Sequence, residues 1–313
     1  MQKALVAGGA GFVGSHLCDK LINGGYFVIC LDNLLTGSIK NISHLLDKKN
    51  FKFIKADVLD FPIYQLLSTN YIFNLASPAS PVDYQNHPEE TALTNSVGTY
   101  NLLQLAAKNK AKFLTASTSE IYGDPLEHPQ KETYWGNVNT IGPRSCYDEA
   151  KRFAETLVYI FIQKYKLDAR IIRIFNTYGP RMQKDDGRVV SNFINQALTT
   201  KPITIYGKGE QTRSFCYVSD LVAGMYSAMF SKNTKGEVFN LGNPEEYTMH
   251  ELAEVVLKLT KSKSKIIYKP LPKDDPTKRK PDISKAKKIL DWRPEVGIEE
   301  GLLRTIEYYR DLV

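Results

Sequence analysis

The sequence predicts an α/β fold: a doubly wound parallel sheet with a smaller C-terminal lobe. Three observations predict it. Short apolar runs alternate with amphipathic helical stretches through the first half of the chain. A glycine-rich run, Gly8-Gly9-Ala10-Gly11-Phe12-Val13-Gly14, joins the first apolar run to the first helical stretch. After Gly179-Pro180 the alternation loosens, as in a second unit built on different rules.

Taken in order, residues 4–7, 27–31, 51–55, 71–75, 112–116 and 170–175 read as buried strands, because each is short and rich in β-branched or aromatic groups. Helical periodicity covers residues 13–23, 88–109 and 147–165 between them. Later come a helix over 189–199, an extended stretch over 203–206, a helix over 219–230, a returning strand over 237–241 and a helix over 249–260. Residues 261–281, rich in Lys, Ser and Pro, read as loop and short strand. The expected division is a domain over 1–180, rejoined by parts of 213–245, and a lobe mainly over 181–313.

Composition excludes several function classes. The chain has 313 residues, 42% apolar and 24% charged, the balance of an ordinary globular protein. It has no run of eighteen apolar residues, so no membrane span is expected. Met1–Val6 enters a strand without the pattern of a secretory leader, and a cytoplasmic location is expected. The four cysteines and five histidines lack metal-ligand spacing, so no metal is expected. The net charge of +7 is local: residues 258–288 hold eleven Lys and one Arg against three Asp, and the rest sums to −2. That pattern suits a phosphate-bearing ligand better than a nucleic acid, so no nucleic-acid partner is expected.

The glycine run marks the sheet as Rossmann-type, since it ends a strand, opens a helix and is followed by Asp32 at the next strand end. Gly8 permits a tight turn, Gly11 lets backbone approach a pyrophosphate, and Gly14 lets helix and strand pack closely. Asp32 would accept hydrogen bonds from a ribose and repel a 2′-phosphate, and Asn33-Leu34-Leu35 offers no Arg to receive one. NAD is therefore expected rather than NADP. A strand-end turn is the plain alternative for Asp32. Asp57 with Val58 reads as an adenine contact, with a turn at Asp57 as the near alternative.

Tyr147 and Lys151 lie four apart on a helix, so they share a face. An ammonium beside the phenol is expected to lower its pKa toward the range of a general base. Thr118, in the polar strand end Thr115–Glu120, is placed to steady an alcohol under oxidation.

The glycine loop with Tyr147-x-x-x-Lys151 resembles the extended short-chain dehydrogenases that act on nucleotide sugars, although Ala7 stands where that family usually has Thr. Further segments resemble the UDP-glucuronate decarboxylases. These include Asn74-Leu75-Ala76-Ser77-Pro78-Ala79-Ser80-Pro81, Ser117-Thr118-Ser119-Glu120-Ile121-Tyr122-Gly123, Arg144-Ser145-Cys146-Tyr147-Asp148-Glu149 and Arg173-Ile174-Phe175-Asn176-Thr177-Tyr178-Gly179-Pro180-Arg181. Asp186-Gly187-Arg188-Val189, Gln211-Thr212-Arg213-Ser214 and Asp274-Asp275-Pro276-Thr277-Lys278-Arg279 complete the likeness, which spans nearly the whole chain.

The resemblance implies a redox triad of Thr118, Tyr147 and Lys151, with Ser119, Glu120 and Arg279 serving decarboxylation. Tyr84, Glu120, Asn176, Arg188, Asn192, Tyr206, Gln211, Arg213 and Arg279 would hold a UDP-sugar in a C-terminal substrate-binding lobe. Cofactor contacts would come from Gly8, Gly11, Phe12, Val13, Gly14, Asp32, Asn33, Thr36, Asp57, Val58, Leu75, Ser77, Thr94, Tyr147, Lys151, Thr177 and Arg188. It also implies a homodimer formed through residues 88–109 and 147–165.

The implied reaction turns UDP-glucuronate into UDP-xylose through a 4-keto intermediate, with NAD recycled. A 4,6-dehydratase, a 4-epimerase and a non-catalytic NAD-binding sensor on the same fold are the other readings. In the dehydratases an Asp-Glu pair follows the Thr, and here Ser119 takes the place of the Asp. A 4-epimerase needs no carboxylate-binding group such as Arg279.

Overall fold

The first strand shows why the sheet is covered on both faces. In β1 (Lys3–Ala7) the side chains of Ala4 and Val6 join one apolar core, and those of Leu5 and Ala7 join the other. A strand buried on both sides belongs in the middle of a parallel sheet flanked by helices. The computed structural model describes residues 1–60, 66, 68–271 and 278–312.

From β1 the chain runs through α1 (Phe12–Asn23), β2 (Phe27–Asp32) and β3 (Phe51–Lys55) to one edge of the sheet, then returns as β4 (Tyr71–Asn74) on the other side of β1. Next come α2 (Pro81–Asn86), α3 (Pro88–Leu93), α4 (Thr99–Asn109), β5 (Lys112–Thr118), α5 (Ser145–Tyr165) and β6 (Ala169–Ile174). After β7 (Thr177–Tyr178) follow α6 (Val189–Leu198), β8 (Ile203–Tyr206), β9 (Thr212–Ser214), β10 (Cys216–Tyr217) and α7 (Val218–Phe230). The chain ends with β11 (Val238–Leu241), β12 (Glu246–Thr248), α8 (Met249–Thr260), β13 (Ile266–Lys269), β14 (Lys278–Arg279), α9 (Ser284–Leu290) and α10 (Ile298–Arg310).

Seven parallel strands stand in the order β11-β6-β5-β4-β1-β2-β3. The winding direction reverses between β1 and β4, and in such sheets the crevice beyond the strand ends at that point receives ligands. Leu17, Cys18 and Leu21 of α1 and Leu221 and Met225 of α7 fill one core; Leu102, Leu103 and Ala106 of α4 and Val158 and Phe161 of α5 fill the other. Smaller sheets, β12-β9-β14 and β13-β8, lie in the chain after residue 180.

Most predicted elements appear within a few residues of their expected bounds, with several differences. The helix expected over 88–109 is α3 and α4 joined by a π turn at Thr94–Gly98. No expectation covered α9, α10 or α2, although in α2 Ser80 caps the helix by accepting from the Asp83 amide (3.1 Å) and Pro81 opens it. The strands β7, β9, β10, β12 and β14 have only two or three residues each, too few to show a period. The stretch 261–281 does contain short strands, but its residues 272–277, including Asp274–Thr277, lie outside the described residues. Among the described residues no helix is long and apolar enough to cross a membrane.

Candidate active site

The glycine run forms the floor of the crevice at the β1/β4 reversal. Gly8 adopts φ +75°, and a Cβ there would lie 2.6 Å from the Leu75 carbonyl oxygen. At Gly14 a Cβ would lie 2.0 Å from the Gly8 oxygen, so only glycine lets α1 press against the loop. Gly11, by contrast, has open space on its Cβ side apart from the Gly8 oxygen at 3.2 Å. It caps α1 without a side-chain hydrogen bond, leaving the first amides of the helix for an anion. Asp32 is buried; its Oδ2 accepts from the Ala10 amide (2.9 Å) and its Oδ1 from the Leu34 amide (2.8 Å). Burial pushes its pKa up, and the backbone amides of Leu34, Ala10 and Gly11 counter that push. Asp32 therefore also fixes the loop, a role that its spacing alone did not reveal.

Beside it, Asp57 Oδ2 accepts from Asn33 Nδ2 (2.7 Å) and its Oδ1 from the Leu59 amide (2.9 Å). Asp32, Asn33, Asp57, Val58 and Thr94 line a small hollow whose walls also include Gly8, Gly11, Thr36, Leu75 and Ser77. Thr94 lies on the π turn, an irregularity common at ligand sites. Ser77 Oγ accepts from Asn95 Nδ2 (2.8 Å) and donates to the Pro78 oxygen (2.7 Å). Diphosphate donors with a carboxylate hollow to one side fit a dinucleotide.

The same walls continue into a cavity of about 600 Å³ lined by residues from the sheet ends and the later lobe. Thr118 ends β5, and its Oγ1 accepts from the Glu120 amide (3.2 Å), starting a single helical turn at Ser119–Tyr122. Tyr147 and Lys151 face the cavity from α5, and the Tyr147 phenol is hydrogen-bonded to Thr118. The Tyr147 ring stacks on Tyr84 at 5.0 Å with planes 7° apart. Lys151 Nζ donates to the Ala116 oxygen (2.8 Å) and stands 5.7 Å from the Tyr147 ring centroid.

One expectation fails here. Burial pushes the Tyr147 phenol up, a push that the Thr118 hydrogen bond only partly counters, and burial brings the Lys151 ammonium down to about 7. Each group resists charging when it leaves water, so the pair of side chains does not lower the phenol's pKa.

The charged end of the cavity is a cluster around Glu120. Arg279 grips it with two nitrogens, Nη1 to Oε1 and Nη2 to Oε2, the latter at 3.1 Å, while Arg144 Nη2 donates to Oε2 (2.7 Å). Burial alone would raise the Glu120 pKa, but Arg279 and then Arg144 outweigh it and hold the carboxyl at about 2. Glu120 is thus ionised and cannot hold a proton for donation in this state. Arg279 is buried on β14, which pairs with β9 so that Arg279 lies beside Arg213.

Residues of the later lobe close the rest of the cavity. Arg188 pairs with Asp186 at 2.7 Å, Asn192 Nδ2 donates to the Gly187 oxygen (2.9 Å), and Gln211 Nε2 donates to the Tyr206 oxygen (2.6 Å). Asn176 Nδ2 donates to the Ser214 oxygen (3.2 Å), Arg213 Nη1 to the Thr212 oxygen (2.9 Å), and Thr177 Oγ1 to the Phe175 oxygen (2.8 Å). Every site residue singled out from the sequence lines one hollow or the other. Sequence reasoning missed the role of Arg144, although it stands in the quoted segment around Tyr147. It also missed Arg181, a cavity residue at φ +67° whose guanidinium pairs with Asp19 at 2.7 Å.

Residues 5–305 match the family described as GDP-mannose 4,6 dehydratase. UDP-glucuronic acid decarboxylase 1 of Arabidopsis thaliana is 55% identical over 311 residues, which are 99% of this chain and 70% of that protein. UDP-glucuronic acid decarboxylase 1 of Danio rerio is 52% identical, covering 98% of this chain and 72% of its own length. The chain belongs to the UDP-glucuronic acid decarboxylase family. UDP-glucuronic acid decarboxylase 6 of Arabidopsis thaliana, 52% identical, is covered over 89% of its length. Among solved structures, UDP-glucuronic acid 4-epimerase from Bacillus cereus, in complex with UDP-glucuronic acid and NAD, superposes with a TM-score of 0.92 at 30% identity, covering all of both chains. UDP-glucose 4-epimerase from Thermotoga maritima, with UDP-glucose, gives 0.91 at 34% identity over 99% of each chain.

Proposed function

We propose that this chain converts UDP-glucuronate to UDP-xylose and carbon dioxide, using NAD as a recycled cofactor. The observation that carries the reading is the meeting, in one cavity, of the Thr118–Tyr147–Lys151 group with Glu120, Arg144 and Arg279. Relatives of that name at 52–55% identity over nearly the whole chain support it. The glycine loop, the uncapped start of α1 and the Asp32 hollow fit NAD, and Asp32 disfavours a 2′-phosphate.

When bound, NAD would supply a reversible hydride acceptor for C4, and oxidation at C4 would make the sugar a β-keto acid from which carbon dioxide can leave. Burial keeps the Tyr147 phenol protonated when the site is empty; once ionised beside the positive charge that a bound NAD would bring, its Oη would take the C4 hydroxyl proton and give it back on re-reduction, with the Thr118 hydroxyl fixing that oxygen. Lys151, anchored to the Ala116 oxygen, supports Tyr147 from below and offers its ammonium to the cofactor ribose. Arg279 and Arg144 orient the sugar carboxylate by charge-assisted hydrogen bonds. Because both already serve Glu120, their grip on the carboxylate is shared, which limits ground-state stabilisation that would slow its loss. Ser119, a neutral neighbour, leaves a departing C6 hydroxyl without the acid that dehydration needs.

The division into a cofactor domain over 1–180, joined by parts of 213–245, and a sugar-nucleotide lobe over the remainder is part of this proposal. Two observations support it: β11 pairs with β6 in the main sheet, and α7 packs beside α1. So is a cytoplasmic location, with which four free thiols agree. So too is a homodimer through α3, α4 and α5. Incubation of the NAD-loaded protein with UDP-glucuronate, with product masses and absorbance at the NADH wavelength followed, tests the central claim. A product lighter by carbon dioxide without lasting NADH is expected. A product of unchanged mass would instead mean epimerisation, and no product at all would sink the enzyme reading.

A further inference from the structure

We propose that Gln130, a residue of neither hollow's wall, is the positioning residue for Arg279: its side-chain amide clamps the backbone beside Arg279 and so places the guanidinium for the sugar carboxylate. The inference rests on the reading of UDP-glucuronate as substrate. Arg279 stands on β14, whose two residues pair with Thr212 and Arg213 of β9. A strand that short does not hold its own end, and the next residue, Lys280, lies beyond that pairing. Gln130 takes it over. Its Oε1 accepts from the Lys280 amide (2.9 Å), and its own backbone amide donates to the Lys280 oxygen (2.9 Å). The Asp282 amide then donates to the Gln130 backbone oxygen (2.8 Å), which completes a short bridge between Gln130 and Pro281.

Gln130 is fully buried, and its Nε2 donates to the Glu127 oxygen (2.6 Å), so both ends of the side-chain amide are in use. A buried amide with both ends committed fixes one arrangement of the chain around it. From its backbone oxygen the hydrogen bonding continues into the sheet. Asn240 Nδ2 donates to that oxygen (3.0 Å), and Asn240 Oδ1 accepts from the Tyr122 hydroxyl (2.8 Å). Tyr122 ends the turn that carries Glu120, and its oxygen also accepts from Arg173 Nη1 (2.9 Å). Arg173 in turn grips Glu155 (3.0 Å and 2.8 Å), whose carboxylate accepts from the hydroxyl of Ser117 (2.6 Å), the residue before Thr118. One continuous hydrogen-bonded chain thus joins the strand of Arg279 to the turn of Glu120 and the strand end of Thr118. Gln130 is its last side chain before Arg279. Charge-assisted hydrogen bonds demand close geometry, and a misplacement of about 1 Å costs on the order of 10²-fold in an oriented site.

The test compares ligands with and without the carboxylate. Affinities of UDP-glucuronate, UDP-glucose and UDP are measured calorimetrically on NAD-loaded protein carrying Tyr147→Phe to stop turnover, with and without Gln130→Met. Methionine keeps the length of the side chain and removes both polar ends. UDP-glucuronate affinity should fall roughly tenfold or more, while UDP and UDP-glucose affinities stay within about twofold. An equal loss for all three ligands would reduce Gln130 to a part of the scaffold, and an unchanged UDP-glucuronate affinity would free Arg279 from it; either result overturns the proposal. Should Gln130→Met not fold, amide exchange of the unaltered NAD-loaded protein decides. Peptides covering residues 278–282 should exchange slowly before any sugar nucleotide is added. Fast exchange that slows only with UDP-glucuronate would show that the ligand, and not Gln130, places Arg279. Absence of UDP-glucuronate binding with Gln130 intact would overturn the substrate reading and this proposal with it, a result distinct from affinity retained in the Met variant.

Discussion

Tyr147 shows how far one side chain can be read from sequence. Its spacing from Lys151 gave the pair away, because residues four apart on a helix share a face. Its ionisation could not be read, since depth of burial is set by Tyr84 stacked above it and by the strand ends beneath. Tyr147→Phe should keep the packing and lower carbon dioxide release on the order of 10²–10⁴-fold, with NAD binding retained. Turnover measured by product mass and cofactor binding by fluorescence titration check both halves; wild-type turnover in the folded variant would remove Tyr147 from the chemistry. Lys151 carries a prediction about pH. Its folded pKa is lowered to about 7 by burial, against the usual 10.5. Between those values the unfolded chain binds the extra proton, so stability rises with pH across that window. The cost of burying the ammonium is therefore largest below pH 7 and fades toward pH 10. Lys151→Met should accordingly gain most in Tm, relative to the unaltered protein, at about pH 6, and that advantage should shrink as pH rises. Thermal melts across the range decide it, and an advantage constant with pH would show that the ammonium carries no such cost.

Length made many elements legible, but not all: α10, thirteen residues long, was not read from the sequence, while the four-residue β8 was. β1 and β2 have five and six residues with both faces largely apolar, and α5 has 21, so period and composition speak clearly there. β9 and β14, which carry Arg213 and Arg279, have three and two residues and exist through pairing in the β12-β9-β14 sheet. Nothing local announces such pairing, so the wall holding Arg279 was visible in the sequence only as a resemblance. α2 had a local signal, the Ser80 cap followed by Pro81, but its six residues are too few for an apolar stripe. The junction of β1 and α1 is the opposite case, since one glycine governs the meeting of both elements. At Gly14 an added methyl would stand 2.0 Å from the Gly8 oxygen and 2.8 Å from the Gly9 Cα, both backbone atoms. Gly14→Ala must push α1 away from the loop, at a cost of about 1–3 kcal/mol for overpacking. A fall in Tm and a loss of NAD affinity of at least tenfold are expected together. Unchanged NAD affinity would mean that the loop holds its shape without the close packing of α1.

At the scale of the whole molecule, the question is what covers the outer side of the helices that carry the site. α5 turns Tyr147 and Lys151 inward, yet Phe153 is 49% and Ile160 43% exposed on the same helix. α4 packs against α5 and exposes Tyr100, and Val97 lies exposed on the π turn before it. Large apolar side chains on adjoining helices are what a subunit interface requires, and burying them would hold α5 from behind. Tyr100→Glu with Phe153→Glu should leave the monomer folded, because both positions are solvent-facing, while placing like charges across a two-fold contact. Light scattering should then give about twice 35.4 kDa for the unaltered protein and about that mass for the variant. If the interface braces the catalytic helix, the variant should also lose turnover and melt at lower temperature, with Tm of the unaltered protein rising with protein concentration. A single-chain mass for the unaltered protein at micromolar concentration would remove the dimer, and a monomeric variant with full turnover would confine the interface to assembly alone.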